Sequence, residues 1–341
     1  MQSLQIKLLN AVAESYPKHS QAVTDLCALL NIGRDGAYRR FRDKTALHIS
    51  EIELLVKTYS ISMDRLLYDD VENIIFSFDA IKNPISDYWQ WFEPIAEDLK
   101  SVRAAPESSF TYISSEILIF YQLMAPELLS FKLFTWGTTI WELPWLQNKK
   151  YEIEYLDPDL PARIKSMAED YIQIKSTEII NTGFLDNTIK QIKYFLQIGK
   201  FKKPKQAFKL MDYLRDLIIH LERMAEEGFK FLPDTNPVVS NAGLELYYDE
   251  MLHSNNTIFV QTAVGNAIYT NYDTPNFIKS VDSALLKHSD QWLEKVIRQS
   301  IPLHGNNERN RKWFFNQLHK KIEHANKEIE VIIESNSMVR A

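Results

Sequence analysis

The stretch Ala22-Val23-Thr24-Asp25-Leu26-Cys27-Ala28-Leu29-Leu30-Asn31-Ile32-Gly33-Arg34-Asp35-Gly36-Ala37-Tyr38-Arg39-Arg40-Phe41 decides how the N-terminal part of the chain folds. Val23, Leu26, Cys27 and Leu30 recur at helical spacing, and Asn31-Ile32-Gly33 then breaks the pattern around one apolar anchor. A second short helix, Arg34 to Arg42, turns Ala37 and Phe41 inward at i and i+4. Arg34, Asp35, Tyr38, Arg39 and Arg42 are left for solvent or a ligand.

Two short helices joined by so tight a turn have the layout of a helix-turn-helix, whose second helix lies in the DNA major groove. Upstream, Leu4, Leu8, Leu9 and Val12 form the stripe of a supporting helix that ends near Pro17. Downstream, Ser50 is placed to cap a helix carrying Ile52, Leu55, Val56 and Tyr59, and residues 61–67 read as a turn with a short last helix. A five-helix bundle over residues 1–68 is therefore expected, with Asp69-Asp70 as its boundary to a second domain, 69–341. Gly33 stands where a Ser or Thr often caps the recognition helix, and Gly36 within that helix costs about 1 kcal/mol relative to Ala.

Charge is divided unevenly. The whole chain carries −6, yet residues 1–67 hold nine Lys or Arg against seven Asp or Glu, and the remainder holds 30 against 38. Arg34, Arg39, Arg40, Arg42 and Lys44 fall within eleven residues, as a module that neutralises phosphates before reading bases requires. A basic cluster alone equally describes a solvated helix face, and the turn is what favours the groove reader.

Composition excludes several other classes. With 341 residues and 45% hydrophobic content the chain can bury a large core without staples. Cys27 is the only cysteine, so neither an internal disulfide nor a multi-cysteine metal site can form. Nine glycines include no phosphate-cradling loop, and His220, His253, His288, His304, His319 and His324 lack metal-binding spacing. Asp157 and Asp159 around Pro158 fit turn chemistry, and no catalytic set, metal or cofactor is expected. No apolar run reaches the roughly 18 residues of a membrane span, which, with the cysteine usage, places the chain in the cytoplasm.

Beyond residue 69 the pattern is mainly helical. A strand-like run spans Asn73 to Phe78, Pro84 and Pro126 are placed to open helices, and three helical segments cover 162–181, 187–198 and 204–227. Short strands at 244–248, 257–262 and 267–272, with Val264-Gly265-Asn266 between the last two, predict a small antiparallel sheet. The overall class is mainly α, or α+β. Trp89, Trp91, Trp136, Trp141 and Trp145 suit core packing or an aromatic ligand cage. Phe315, Leu318, Ile322, Ala325, Ile329 and Ile332 keep heptad spacing, a seam that fits either subunit pairing or packing on its own domain.

Residues 1–67 resemble the lambda-repressor-like, Cro-type helix-turn-helix of bacterial transcriptional regulators. The resemblance lies in Leu29-Leu30-Asn31-Ile32-Gly33-Arg34, in residues 50–55 and in residues 61–67. Tyr38, Phe41 and Lys44 are also similar to the spacing of tetracycline-repressor-type regulators, but two short helices follow here rather than one long connecting helix. Residues 127–136 and 308–315 resemble the long C-terminal portion of regulators with the same N-terminal architecture, to which no ligand or chemistry is attached. The expected partner is double-stranded DNA, bound by a homodimer. Arg34, Asp35, Tyr38 and Arg39 are expected at base edges, and Arg40, Arg42 and Lys44 at phosphates. The larger domain is expected to dimerise and to sense a small-molecule or protein effector. The alternative is a helical protein-interaction module that binds no DNA.

Overall fold

The computed structural model describes residues 2–59, 61–67, 74–78, 88–152, 159–235, 242–252 and 256–338. Asp69, Asp70, Pro84, Asp157, Pro158 and His253 lie outside the described residues. The chain divides into two compact units, Met1–Ile75 and Phe76–Ala341.

The first unit holds α1 (Leu4–Glu14), α2 (His19–Leu30), α3 (Arg34–Phe41), α4 (Ile49–Tyr59) and α5 (Met63–Leu67). Ser3 starts α1 by accepting the Ile6 amide on its hydroxyl. Asn31 stops α2 by adopting left-handed φ 51° and ψ 48°, which Asn tolerates better than most residues, and the Ile32 amide closes onto the Cys27 carbonyl. Leu8, Leu9 and Val12 of α1, Val23 and Leu26 of α2, Ala37 of α3 and Leu55 of α4 form the core. Full burial of each larger aliphatic side chain contributes roughly 1.5–3 kcal/mol.

The second unit departs from the expected class. In place of a small antiparallel sheet among helices, it is an α/β domain built on seven strands: β1 (Ser109–Ser114), β2 (Lys175–Ile180), β3 (Leu244–Tyr248), β4 (Thr257–Gln261), β5 (Ala267–Asp273), β6 (Asn276–Ser280) and β7 (Ile301–Pro302). Their order is β6-β5-β4-β1-β2-β3-β7. β1, β2 and β3 run parallel, while β4, β5 and β6 on one side and β7 on the other are antiparallel.

Helices cover both faces. On one side α6 (Trp89–Ala104), α7 (Ile119–Leu123), α8 (Pro126–Thr139), α9 (Leu160–Tyr171), α10 (Asp186–Gln197), α11 (Gln206–Glu227) and α13 (Glu308–Met338) share a core with Phe110, Tyr112, Ile180 and Leu246. On the other, α12 (Ser283–Gln299) sets Leu293 and Val296 against Ile113, Ile179 and Phe259. None of the described helices is long and apolar enough to cross a membrane.

Two of the three parallel strands, β1 and β2, escape the periodicity, while β3 falls on the strand expected at 244–248. The spacing predicts one helix from 162 to 181, whereas α9 ends at Tyr171 and β2 begins at Lys175. A strand buried on both faces need not alternate, and β1 and β2 place Ser114, Ser176 and Glu178 wholly out of solvent. Glu178 accepts hydrogen bonds from Tyr121, from Tyr171 (2.7 Å) and from Ser176 (2.8 Å). Lys230, also fully buried, donates to the Ile174 carbonyl and to Ser176, and its ammonium stands 4.1 Å from the centre of the Tyr171 ring. Burial pushes Lys230 down to about 7 and raises the Tyr121 and Tyr171 hydroxyls well above their ordinary value. A one-residue slip of β2 would turn Glu178 to the other face and break this network, so the polar cluster holds the register.

Of the five tryptophans, Trp91, Trp136 and Trp141 are buried core residues with ring centres 5.0 Å (91 to 136) and 5.8 Å (136 to 141) apart, while Trp89 is half-buried and Trp145 is exposed. Along α13, Phe315, Leu318, Ile322, Ala325 and Ile329 are buried in their own unit, against α10 and α11. The heptad seam is therefore occupied within the chain. Of the strand-like run expected from Asn73 to Phe78, Asn73 lies outside the described residues, and among 74–78 only Ser77 bridges, antiparallel to Lys279.

Candidate nucleic-acid interface

Ala37 anchors α3 in the core with no exposed surface, and this fixes which side of the helix faces out. At about 100° per residue, Arg34, Asp35, Tyr38, Arg39 and Arg42 fall within one arc of roughly 140°. All five side chains are exposed in the structure. The Arg42 guanidinium lies 6.0 Å from the centre of the Tyr38 ring, and Arg34 reaches Thr24 of α2 at 3.5 Å. Lys44 is exposed in the turn that follows, where Asp43 takes a left-handed φ of 58°. Six of the seven expected contact residues are thus exposed, five of them on one arc of α3.

Arg40 does not join them. Its position on the helical wheel is about 170° from the middle of that arc, and its side chain is only 11% exposed. The guanidinium donates to Glu51 Oε1 at 2.8 Å, so the expected phosphate contact is corrected to an internal ion pair. Glu51 also accepts the His48 amide on Oε2 at 2.8 Å. With His48 ahead of the helix and Glu51 three residues on, the carboxylate takes the reach-back role of a capping box. Ser50, expected as the cap, lies inside α4 instead.

Gln5 is a positioning residue that nothing in the sequence pattern reveals. From α1 its amide donates to the carbonyls of Arg40 and Thr45, both at 2.9 Å, and its oxygen accepts the Leu47 amide at 2.7 Å. One side chain thereby holds both the C-terminal end of α3 and the turn carrying Lys44. Glu51, by contrast, is visible as the acid three residues after His48.

Neither glycine is demanded by packing. Gly33 has an ordinary φ of −74°, and a Cβ there would meet nothing within 4 Å. A Cβ on Gly36 would meet Arg40 and Ile32 at 3.7 Å, which is ordinary contact. The α3 N-terminus therefore presents a bare backbone that the fold itself does not require. The chain matches no family model, no curated protein and no solved structure.

Proposed function

We propose that this chain is a sequence-specific DNA-binding transcriptional regulator whose α3 enters the major groove. The observation that carries the reading is the single exposed face of α3, with Arg34, Asp35, Tyr38, Arg39 and Arg42 held outward by the buried Ala37. Arg34, Asp35, Tyr38 and Arg39 are assigned to base edges, and Arg42 with Lys44 to phosphates. The resemblance of residues 1–67 to Cro-type regulators supports the same assignment.

An eight-residue recognition helix is short. Its ~12 Å length spans about four base pairs, too few for specificity in a genome, and a homodimer on two half-sites about 34 Å apart supplies the remainder. The second unit is assigned to pairing the subunits through a surface other than the α13 seam.

Selection of DNA fragments from a random pool by the purified chain tests this directly. An enriched sequence with two related half-sites is expected. Failure to shift random duplex at low salt and about micromolar protein overturns it and favours the helical protein-interaction module.

A further inference from the structure

We propose that a cleft between α10 and α13 binds a phosphorylated small molecule bearing a flat ring. The cleft measures about 670 Å³, within the range of small-molecule sites. It opens beyond the carboxyl ends of β2 and β3, where Thr182 and Glu250 follow the strands, the edge at which open α/β sheets place their ligands. The inference rests on the second unit alone and stands apart from DNA binding.

Lysines from two helices converge on the cleft. Lys321 is held by Asp186 and Lys193 by Glu328, each at 2.8 Å, so two of the four are fixed and neutralised. Lys190 of α10 and Lys320 of α13 are exposed and have no carboxylate partner among the described residues. Two uncompensated ammonium groups on facing helices suit the oxygens of a phosphate or diphosphate. Glu250 is occupied by Thr182, which donates to it through its amide at 3.2 Å and its hydroxyl at 2.6 Å.

Trp313 supplies the second half of the recognition. It lines the same cleft and is 48% exposed, and its ring centre stands 5.5 Å from that of Tyr248. A large aromatic left half in water beside a cationic rim gives a flat ligand group a stacking surface. With four lysines against three carboxylates the cleft carries only a small positive surplus, which favours a compact anion over a nucleic-acid backbone.

Calorimetric titration of the full chain with ADP, pyrophosphate and adenosine tests the proposal. ADP should bind more tightly than about 1 mM, ahead of pyrophosphate and adenosine. Lys190→Ala with Lys320→Ala should weaken ADP and pyrophosphate roughly tenfold or more, and Trp313→Ala should weaken ADP while leaving pyrophosphate unchanged. Because all three side chains are solvent-accessible, unchanged circular dichroism should accompany these losses. No heat with ADP, or equal ADP binding by the lysine double variant or by Trp313→Ala, overturns the proposal. A matching loss of duplex DNA affinity in the lysine double variant also overturns it and gives the cleft to nucleic acid.

Discussion

Arg40 and Glu51 join the end of α3 to the start of α4 through a 2.8 Å ion pair in which both side chains are largely buried, 11% and 16% exposed. Removing either partner leaves the other charge poorly solvated. Arg40→Ala and Glu51→Ala should each cost about 2 kcal/mol in the first unit, with a non-additive double variant. Hydrogen exchange of the α3 and α4 amides reads this loss, and additive single effects would contradict the coupling.

Arg42 has the opposite profile. It is exposed, so Arg42→Ala should change stability by no more than about 0.5 kcal/mol. It should weaken binding to specific and random DNA alike and lower the salt slope by about one. Arg40→Ala, corrected for the folded fraction, should leave that slope unchanged, and a slope change there would return Arg40 to the phosphate contacts.

The two glycines of the turn separate stability from function. Gly36→Ala should stabilise the first unit by about 0.5–1 kcal/mol, since the added methyl meets only ordinary contacts. Gly33→Ser should add a few tenths of a kcal/mol by capping α3. If the bare backbone serves close approach to DNA, both variants melt higher and bind DNA more weakly. Stabilisation with unchanged affinity would remove that role.

His220 makes the second unit sensitive to acid. Burial in α11 pushes its imidazole down to about 4, and a ring nitrogen lies 2.8 Å from the Phe231 carbonyl. The unfolded chain protonates this histidine near pH 6.5, before the folded one does, so its contribution is complete above 6.5 and is lost as pH falls towards 4. The change amounts to about 3 kcal/mol. All seven tryptophans lie beyond residue 75, so their fluorescence follows this unit during melts at each pH. His220→Gln should flatten the dependence in that window.

Ile322 tests where the α13 seam is spent. Its side chain has no exposed surface, and Ile322→Ala should cost about 3 kcal/mol by leaving a cavity. The loss should be the same at low and high protein concentration. A concentration-dependent loss would mean that the seam holds two subunits together.

Legibility followed from how each segment meets water. Around Ala37, half-buried helices expose one face and hide the other, so spacing alone places Arg34, Tyr38 and Arg42 outward. Arg40 is grouped with its basic neighbours by charge density alone, although its wheel position already turns it away from them, and its partner Glu51 is brought near only by the packing of α4. β1 and β2 were hidden for the reverse reason. Their polar residues, among them Glu178, find partners inside the core, so the residue types that usually mark a surface mark its interior here. The α10–α13 cleft combines segments far apart in the chain, and no local spacing announces it.

The pairing of β1 with β2 and β4 also dictates when each half of the molecule can become native. Ser109 pairs with Lys175, Phe110 with Val260, and Ser176 with Leu244, so the central strands wait for long loops to close. The first unit closes all its contacts within residues 2–67, the longest tying α1 to α5, whereas Phe110 must wait for Val260, and shorter loops close sooner. Refolding should therefore show an early gain of helical signal with silent tryptophans, followed by a slower fluorescence phase. During synthesis α3 would be complete while the sheet still lacked its centre.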